Sequence, residues 1–146
     1  MPRTVAAAWH DAGMPRHASR TIGLLMWALL ALIAAHDATH LFDDGLETSA
    51  GQLALVATPQ WIVIAAVVAV ILRGRAERAA IAALLLGAGT VLGFAIVHLL
   101  PFALAPYDEL EPSAVSWVLV WVPTAVAVAL AAAAARDLRT ADTVPA

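Results

Sequence analysis

Four long apolar runs divide the chain, and short polar stretches separate them. The first extends from Thr21 to about Phe42, and Thr21 to Ala35 carries no charge. The second covers about Gln52 to Leu72, the third Ala79 to about Leu100, and the fourth Ser113 to Ala135. Each reaches the roughly 20 residues a helix needs to cross a hydrocarbon core of about 30 Å. The connections are short, roughly 6 to 12 residues, so sequence neighbours should run antiparallel. The pattern predicts an all-α polytopic membrane protein, a four-transmembrane-helix antiparallel bundle over residues 21–136.

Composition supports the bilayer as solvent. Of 146 residues, 62% are hydrophobic and 13% are charged, against about 25% charged in soluble domains. The mean hydropathy is +0.85. Cysteine is absent, which excludes disulfides, thiolate zinc sites, iron–sulfur clusters and thiol catalysis. Lysine is absent too, and the few scattered arginines exclude nucleic acid as a partner.

The arginines set the direction of the spans. Arg3, Arg16 and Arg20 precede the first, Arg73, Arg75 and Arg78 lie between the second and third, and Arg136 and Arg139 follow the fourth. All eight fall on one side of a four-span arrangement. The other side holds Asp37, Asp43, Asp44, Glu47, Asp108, Glu109 and Glu111, without a single arginine. Retention of arginine inside predicts both termini in the cytoplasm and a multi-pass protein of the cell membrane. Three or five spans would break this separation. A cleaved signal peptide, with Ile22 to Ala35 as its apolar core, lacks a good small-x-small cleavage pattern and leaves only three spans. Residues 1–20 then form a cytoplasmic tail in which Trp9 and Met14 can touch headgroups and His10 and His17 are solvated. Residues 137–146 read as a disordered cytoplasmic tail.

Small residues predict how the helices meet. Gly89 and Gly93 form a GxxxG spacing in the third span, and Gly87 extends the smooth surface. Such faces let backbones approach closely. Packing inside the bundle is the expected use, and a homo-oligomer or larger membrane complex through Gly87, Gly89 and Gly93 is the alternative. Pro59 and Pro123 lie within spans and each removes a backbone hydrogen bond. Trp117 fits an interfacial anchor, and Trp121, a turn deeper, is a candidate for lining an internal site.

The chemistry concentrates in the stretch HDATHLFDDGLE, residues 36–47. At 1.5 Å per residue from the inner arginines, His36 lies at a depth of about 24 Å, Gln60 at about 20 Å and Trp121 at about 22 Å. His40 and His98 both lie at about 30 Å, the outer boundary. Polar groups from three spans therefore gather in one layer, the intramembrane cluster His36, Asp37, Gln60 and His98. His36 and His40 share a helix stripe, about 40° apart. Asp43 and Glu47 continue that stripe if helix persists past Phe42, which Gly45 disfavours.

Imidazoles at i and i+4, with a third from a neighbouring helix, suit a first-row metal. The candidate ligands are His36, His40, His98, Asp43 and Glu47, for zinc, copper(II) or non-haem iron. A haem between His98 and a first-span histidine is the other cofactor this pattern allows. Against these stands a structural origin: polar residues where helices leave the bilayer simply meet water, and His36 and Asp37 can bond Gln60 or Thr58. The leading expectation is a small membrane protein of binding or accessory type with a His/carboxylate cluster at its outer face. A metal or haem redox protein, or a small acid–base enzyme on a lipid-like substrate, is the runner-up. No nucleophile stands out, and inverted repeats of the transporter kind are missing.

Overall fold

The computed structural model describes residues 18–42, 49–99 and 113–142. Four helices long and apolar enough to cross a membrane make up nearly all of them. They are α1 (Arg20–Phe42), α2 (Ala50–Arg73), α3 (Ala76–Phe94), continued by a π turn (Ala95–Leu99), and α4 (Ala114–Asp142). The spans expected from hydropathy coincide with these within a few residues, except at the last end. There the helix continues to Asp142, so the expected disordered tail begins too early in that reading. The alanine run at residues 131–135 leads into Asp137, Leu138 and Arg139, and Ala, Leu and Arg are strong helix formers that carry α4 beyond the apolar boundary.

Local chemistry sets the ends. Ser49 caps α2 through a reciprocal box: its hydroxyl accepts from the Gln52 backbone N–H at 3.2 Å, and the Gln52 side chain accepts from the Ser49 N–H at 3.0 Å. Two orphan donors of the first turn are thereby satisfied. At the other end Gly74 closes the helix, its N–H donating to the Val70 carbonyl at 2.7 Å. Only Gly74 and Arg75 separate α2 from α3, so the two helices form an antiparallel hairpin.

The helices stand in a ring in chain order, each packed on its neighbours, and the diagonal pair α1 and α3 meets through side chains at the outer end. Packing is uneven around this ring. The α4 faces toward α3 and α1 are extensive, whereas α2 meets α1 and α3 more loosely. Ile22, Met26, Leu29 and Ile33 of α1 are buried at helical spacing, and they meet Val120, Ala127, Leu130 and Ala134 of α4 in one core. Alanines 79, 80, 82 and 83 of α3 fill the inner end of that core.

Glycine use differs from the expected GxxxG seam. A Cβ on Gly87 would lie 2.5 Å from the Ala127 carbonyl and 2.9 Å from the Ala131 N–H, so this glycine alone brings the α3 and α4 backbones together. Gly89 and Gly93 have open space before them, with nothing within 4 Å of a built Cβ. Two residues of helix amount to about 200° of rotation, which turns Gly89 away from the face that Gly87 occupies. Trp121 also corrects an expectation. It is 56% exposed on the outside of the bundle, where an indole suits the interfacial region of a bilayer, and it lines no interior site. The neighbouring Trp117 packs partly against the core.

The outward surface is apolar on all four helices: Leu24, Leu55, Ile62, Leu92 and Val115 are each more than 60% exposed. A belt of this kind is stable only against lipid.

Candidate metal centre

The outer ends of α1 and α3 supply three imidazoles. His36 and His40 sit one turn apart on α1, so their rings project from the same stripe. His98 comes from the π turn that ends the third span. A π turn admits an extra residue per turn and rotates everything beyond it. The sequence favours such a break here, because Pro101 follows and has no N–H to give to a regular helical ladder.

These three side chains converge. One ring nitrogen of each lies within 4.8 Å of the others. The Nε2 atoms of His36 and His40 are 3.3 Å apart, one imidazole donating to the other. His36 and His98 meet edge to face with centroids 5.1 Å apart, and His40 and His98 stack at 5.8 Å. Phe94 closes one side, its ring 4.8 Å from His36 and 6.0 Å from His98. His36 and His98 are 4% and 5% exposed, while His40 is half-buried. Two imidazoles thus stand almost wholly out of solvent, held by packing rather than by a hydrated surface.

Asp37 takes a different partner from the one its depth suggested. The Trp61 indole N–H of α2 donates to its Oδ2 at 2.7 Å. Gln60 is exposed on the wall of the same groove as the histidines, and Asp37 bonds its neighbour instead. The available sign was the indole itself: a tryptophan in mid-span carries a donor that hydrocarbon leaves unsatisfied. Thr39 donates to the His36 carbonyl at 2.7 Å, turning its hydroxyl back on the helix. Asp43 and Glu47, the two carboxylates considered as further ligands, lie outside the described residues.

The Trp61–Asp37 bond is a polar tie between the loosely packed α2 and α1. Trp61→Phe keeps the aromatic body and deletes the donor, and should lower resistance to denaturing detergent by about 1–2 kcal/mol. Asp37→Asn retains an acceptor oxygen and should cost less. Equal losses in the two variants, read by helical signal against detergent fraction, would contradict this assignment.

All three histidines line a groove of about 590 Å³ between α1, α2 and α3. The open side of the cluster faces that groove. Ile33, Val56, Ile64, Leu86 and Phe94 are among the residues that wall it, so a group bound at the imidazoles would meet a mostly apolar chamber. No protein-family model matches this sequence, and comparison with curated proteins and with solved structures finds no match either.

Proposed function

We propose that this chain is a multi-pass protein of the cell membrane that holds one divalent first-row metal ion, zinc by geometry, on His36, His40 and His98 at the outer end of its bundle. The observation that carries this reading is the spacing of the ligands. Two nitrogens on a tetrahedral zinc with bonds of about 2.0–2.1 Å lie about 3.3 Å apart. The His36 and His40 Nε2 atoms are 3.3 Å apart, and His98 brings its own nitrogen within 4.8 Å. To join them as a third ligand, His98 would turn its ring out of the stack with His40. Because all three histidines line the groove, an ion held by them would be open to it. Three protein ligands and one open position are the arrangement of catalytic rather than structural zinc.

Haem is the weaker fit. Axial imidazoles meet iron end-on from opposite sides of the macrocycle. His40 and His98 are stacked face to face, and the His36 and His40 nitrogens leave no plane between them for a porphyrin. When bound, the metal would supply Lewis acidity toward an oxygen in the groove. The chain's own contribution is to hold the three imidazoles together beside the Phe94 ring and to leave the groove side open to them.

The test is elemental analysis of the intact protein, purified in detergent without chelators and titrated with zinc and, separately, copper(II). One equivalent bound per chain is expected. A wild-type protein that stays metal-free at micromolar zinc and copper refutes the reading.

Both termini are assigned to the cytoplasm by the arginine distribution. The chain has no cysteine, so single cysteines report on sidedness without background. Gly51, exposed at the outer start of α2, and Glu77, exposed near the inner start of α3, are suitable positions. A membrane-impermeant maleimide added to intact cells should label Gly51→Cys and spare Glu77→Cys. The opposite pattern reverses the topology.

A further inference from the structure

At the opposite end of the bundle from the histidines, a second recess opens between the start of α1 and the end of α2. Ser19, Arg20 and Gly23 line it from the first helix, and Ile71 and Leu72 from the second. Ile71 is buried and closes the back. Leu24 and Leu72, 62% and 51% exposed, form sides that meet lipid. His36 lies 16 residues beyond Arg20 on α1, about 24 Å away, so this recess and the metal ligands are separate sites.

Its α1 side is a single stripe. Arg20, Gly23, Leu24 and Trp27 stand at i, i+3, i+4 and i+7 and so share one face. Nothing lies within 4 Å of a Cβ built on Gly23, which leaves the stripe indented between a guanidinium and an indole. Trp27 is 56% exposed, and among the described residues no acceptor takes its N–H. It lies about 10 Å beyond Arg20 along the helix, and helical side chains lean back over the preceding turn. The indole therefore covers the turn of Gly23 and Leu24, and its N–H needs an acceptor that hydrocarbon does not supply. Ser19 offers another donor: its oxygen accepts from the Ile22 N–H at 3.4 Å, which leaves the hydroxyl hydrogen for an acceptor elsewhere.

Charge at this end is one-sided. The start of α1 and the α2–α3 turn carry Arg20, Arg73, Arg75 and Arg78, all exposed, against one carboxylate, Glu77. Among the described residues none of these four arginines forms an ion pair, and the pair that does form, Arg136 with Asp137, belongs to α4. Acceptors are thus wanted at two levels, an anionic one at Arg20 and Ser19 and a neutral one deeper, at Trp27. A glycerophospholipid presents that order: phosphate, then ester carbonyls, then acyl chain.

We propose that this recess binds one anionic glycerophospholipid of the leaflet at the arginine end. Its phosphate meets Arg20 and Ser19, an ester carbonyl accepts the Trp27 N–H, and an acyl chain lies over Gly23 between Leu24 and Leu72. The excess of arginine around the recess favours a head of net negative charge over a zwitterionic one. The site is independent of the metal reading.

The test is native mass spectrometry of the full chain released from nanodiscs of dioleoyl phosphatidylglycerol and dioleoyl phosphatidylcholine in equal parts. One phosphatidylglycerol retained per chain is expected, at least about fivefold over phosphatidylcholine. Arg20→Gln should cut that retention about fivefold, and Arg20→Lys should keep most of it. Trp27→Phe should lower retention of both lipids about threefold, because both carry the ester carbonyl. Gly23→Leu, for which there is room, fills the indentation and should also lower both. Arg139→Gln removes the same charge from the end of α4 and should leave retention as in wild type.

Equal losses in Arg20→Gln and Arg139→Gln would mean diffuse attraction to a basic surface and overturn the site. Equal retention of the two lipids overturns the anionic head. Full retention in Gly23→Leu overturns the place of the acyl chain. Displacement of the lipid by millimolar glycerol 3-phosphate assigns Arg20 to a soluble phosphate instead. A dimer that Gly23→Leu dissolves overturns the lipid in favour of a second copy.

Discussion

His98→Ala is expected to reduce bound zinc from about one equivalent per chain to less than a tenth, with apparent affinity falling at least about 100-fold. That figure is a lower bound, because loss of mere outer-shell partners already costs 10–100-fold in metal sites. The physical reason is geometric. His36 and His40 come from one helix and are set 3.3 Å apart by its turn. They form a two-coordinate edge that any surface HxxxH offers. His98 is the ligand that comes from another element, and it alone turns the edge into a face. Its removal returns the site to a weak, common pattern.

The variant must be separated from simple loss of structure. His98 is buried against His36 and Phe94, so an alanine leaves a cavity at the outer end of α3. That cavity adjoins the groove and is reachable by a small molecule. Millimolar imidazole should therefore restore zinc binding to His98→Ala, while glycerol at the same concentration should not. Helical content and tryptophan fluorescence should match wild type. If zinc binding survives His98→Ala without imidazole, the third ligand is misassigned. If imidazole fails to restore it in a folded variant, His98 acts on the structure and not on the metal.

Much of this arrangement is legible along the membrane normal and little of it around the helices. Hydropathy and arginine position are functions of depth alone. They place four spans, and they bring His36, His40 and His98 to one end of the bundle. Azimuth is harder, because lipid-facing and core-facing residues are both apolar here. Leu24 at 62% exposure and Leu29 fully buried are the same residue type on one helix. Thus the indole that reaches Asp37, the π turn that re-aims His98 and the outward turn of Trp121 were settled by packing between helices. The partner of Asp37 was expected at Gln60 or Thr58 because depth favours those positions, and depth says nothing of which face of α2 meets α1.

Gly87 and Gly89 make the sharpest case of the same distinction, and opposite outcomes are expected from changes two positions apart. Gly87→Val should destabilise the bundle by about 3 kcal/mol. Already a Cβ there would lie 2.5 Å from the Ala127 carbonyl, 2.9 Å from the Ala131 N–H and 3.1 Å from the Ala131 Cβ. Two of these three atoms are backbone, which no rotamer change moves aside. Relief requires α3 and α4 to separate along the best-packed interface of the ring, where small residues such as Ala83, Ala127 and Ala134 have little side chain to fill the gap. Gly89→Ala meets nothing within 4 Å. It removes mid-helix backbone entropy and should stabilise by about 0.5–1 kcal/mol. Detergent denaturation of the two variants, followed by far-ultraviolet circular dichroism, measures both signs at once. A tolerant Gly87→Val would mean that α3 and α4 are not in direct backbone contact. A destabilised Gly89→Ala would mean that the α3 wall facing the groove is covered by a neighbouring surface, and the open approach to the histidines would close with it.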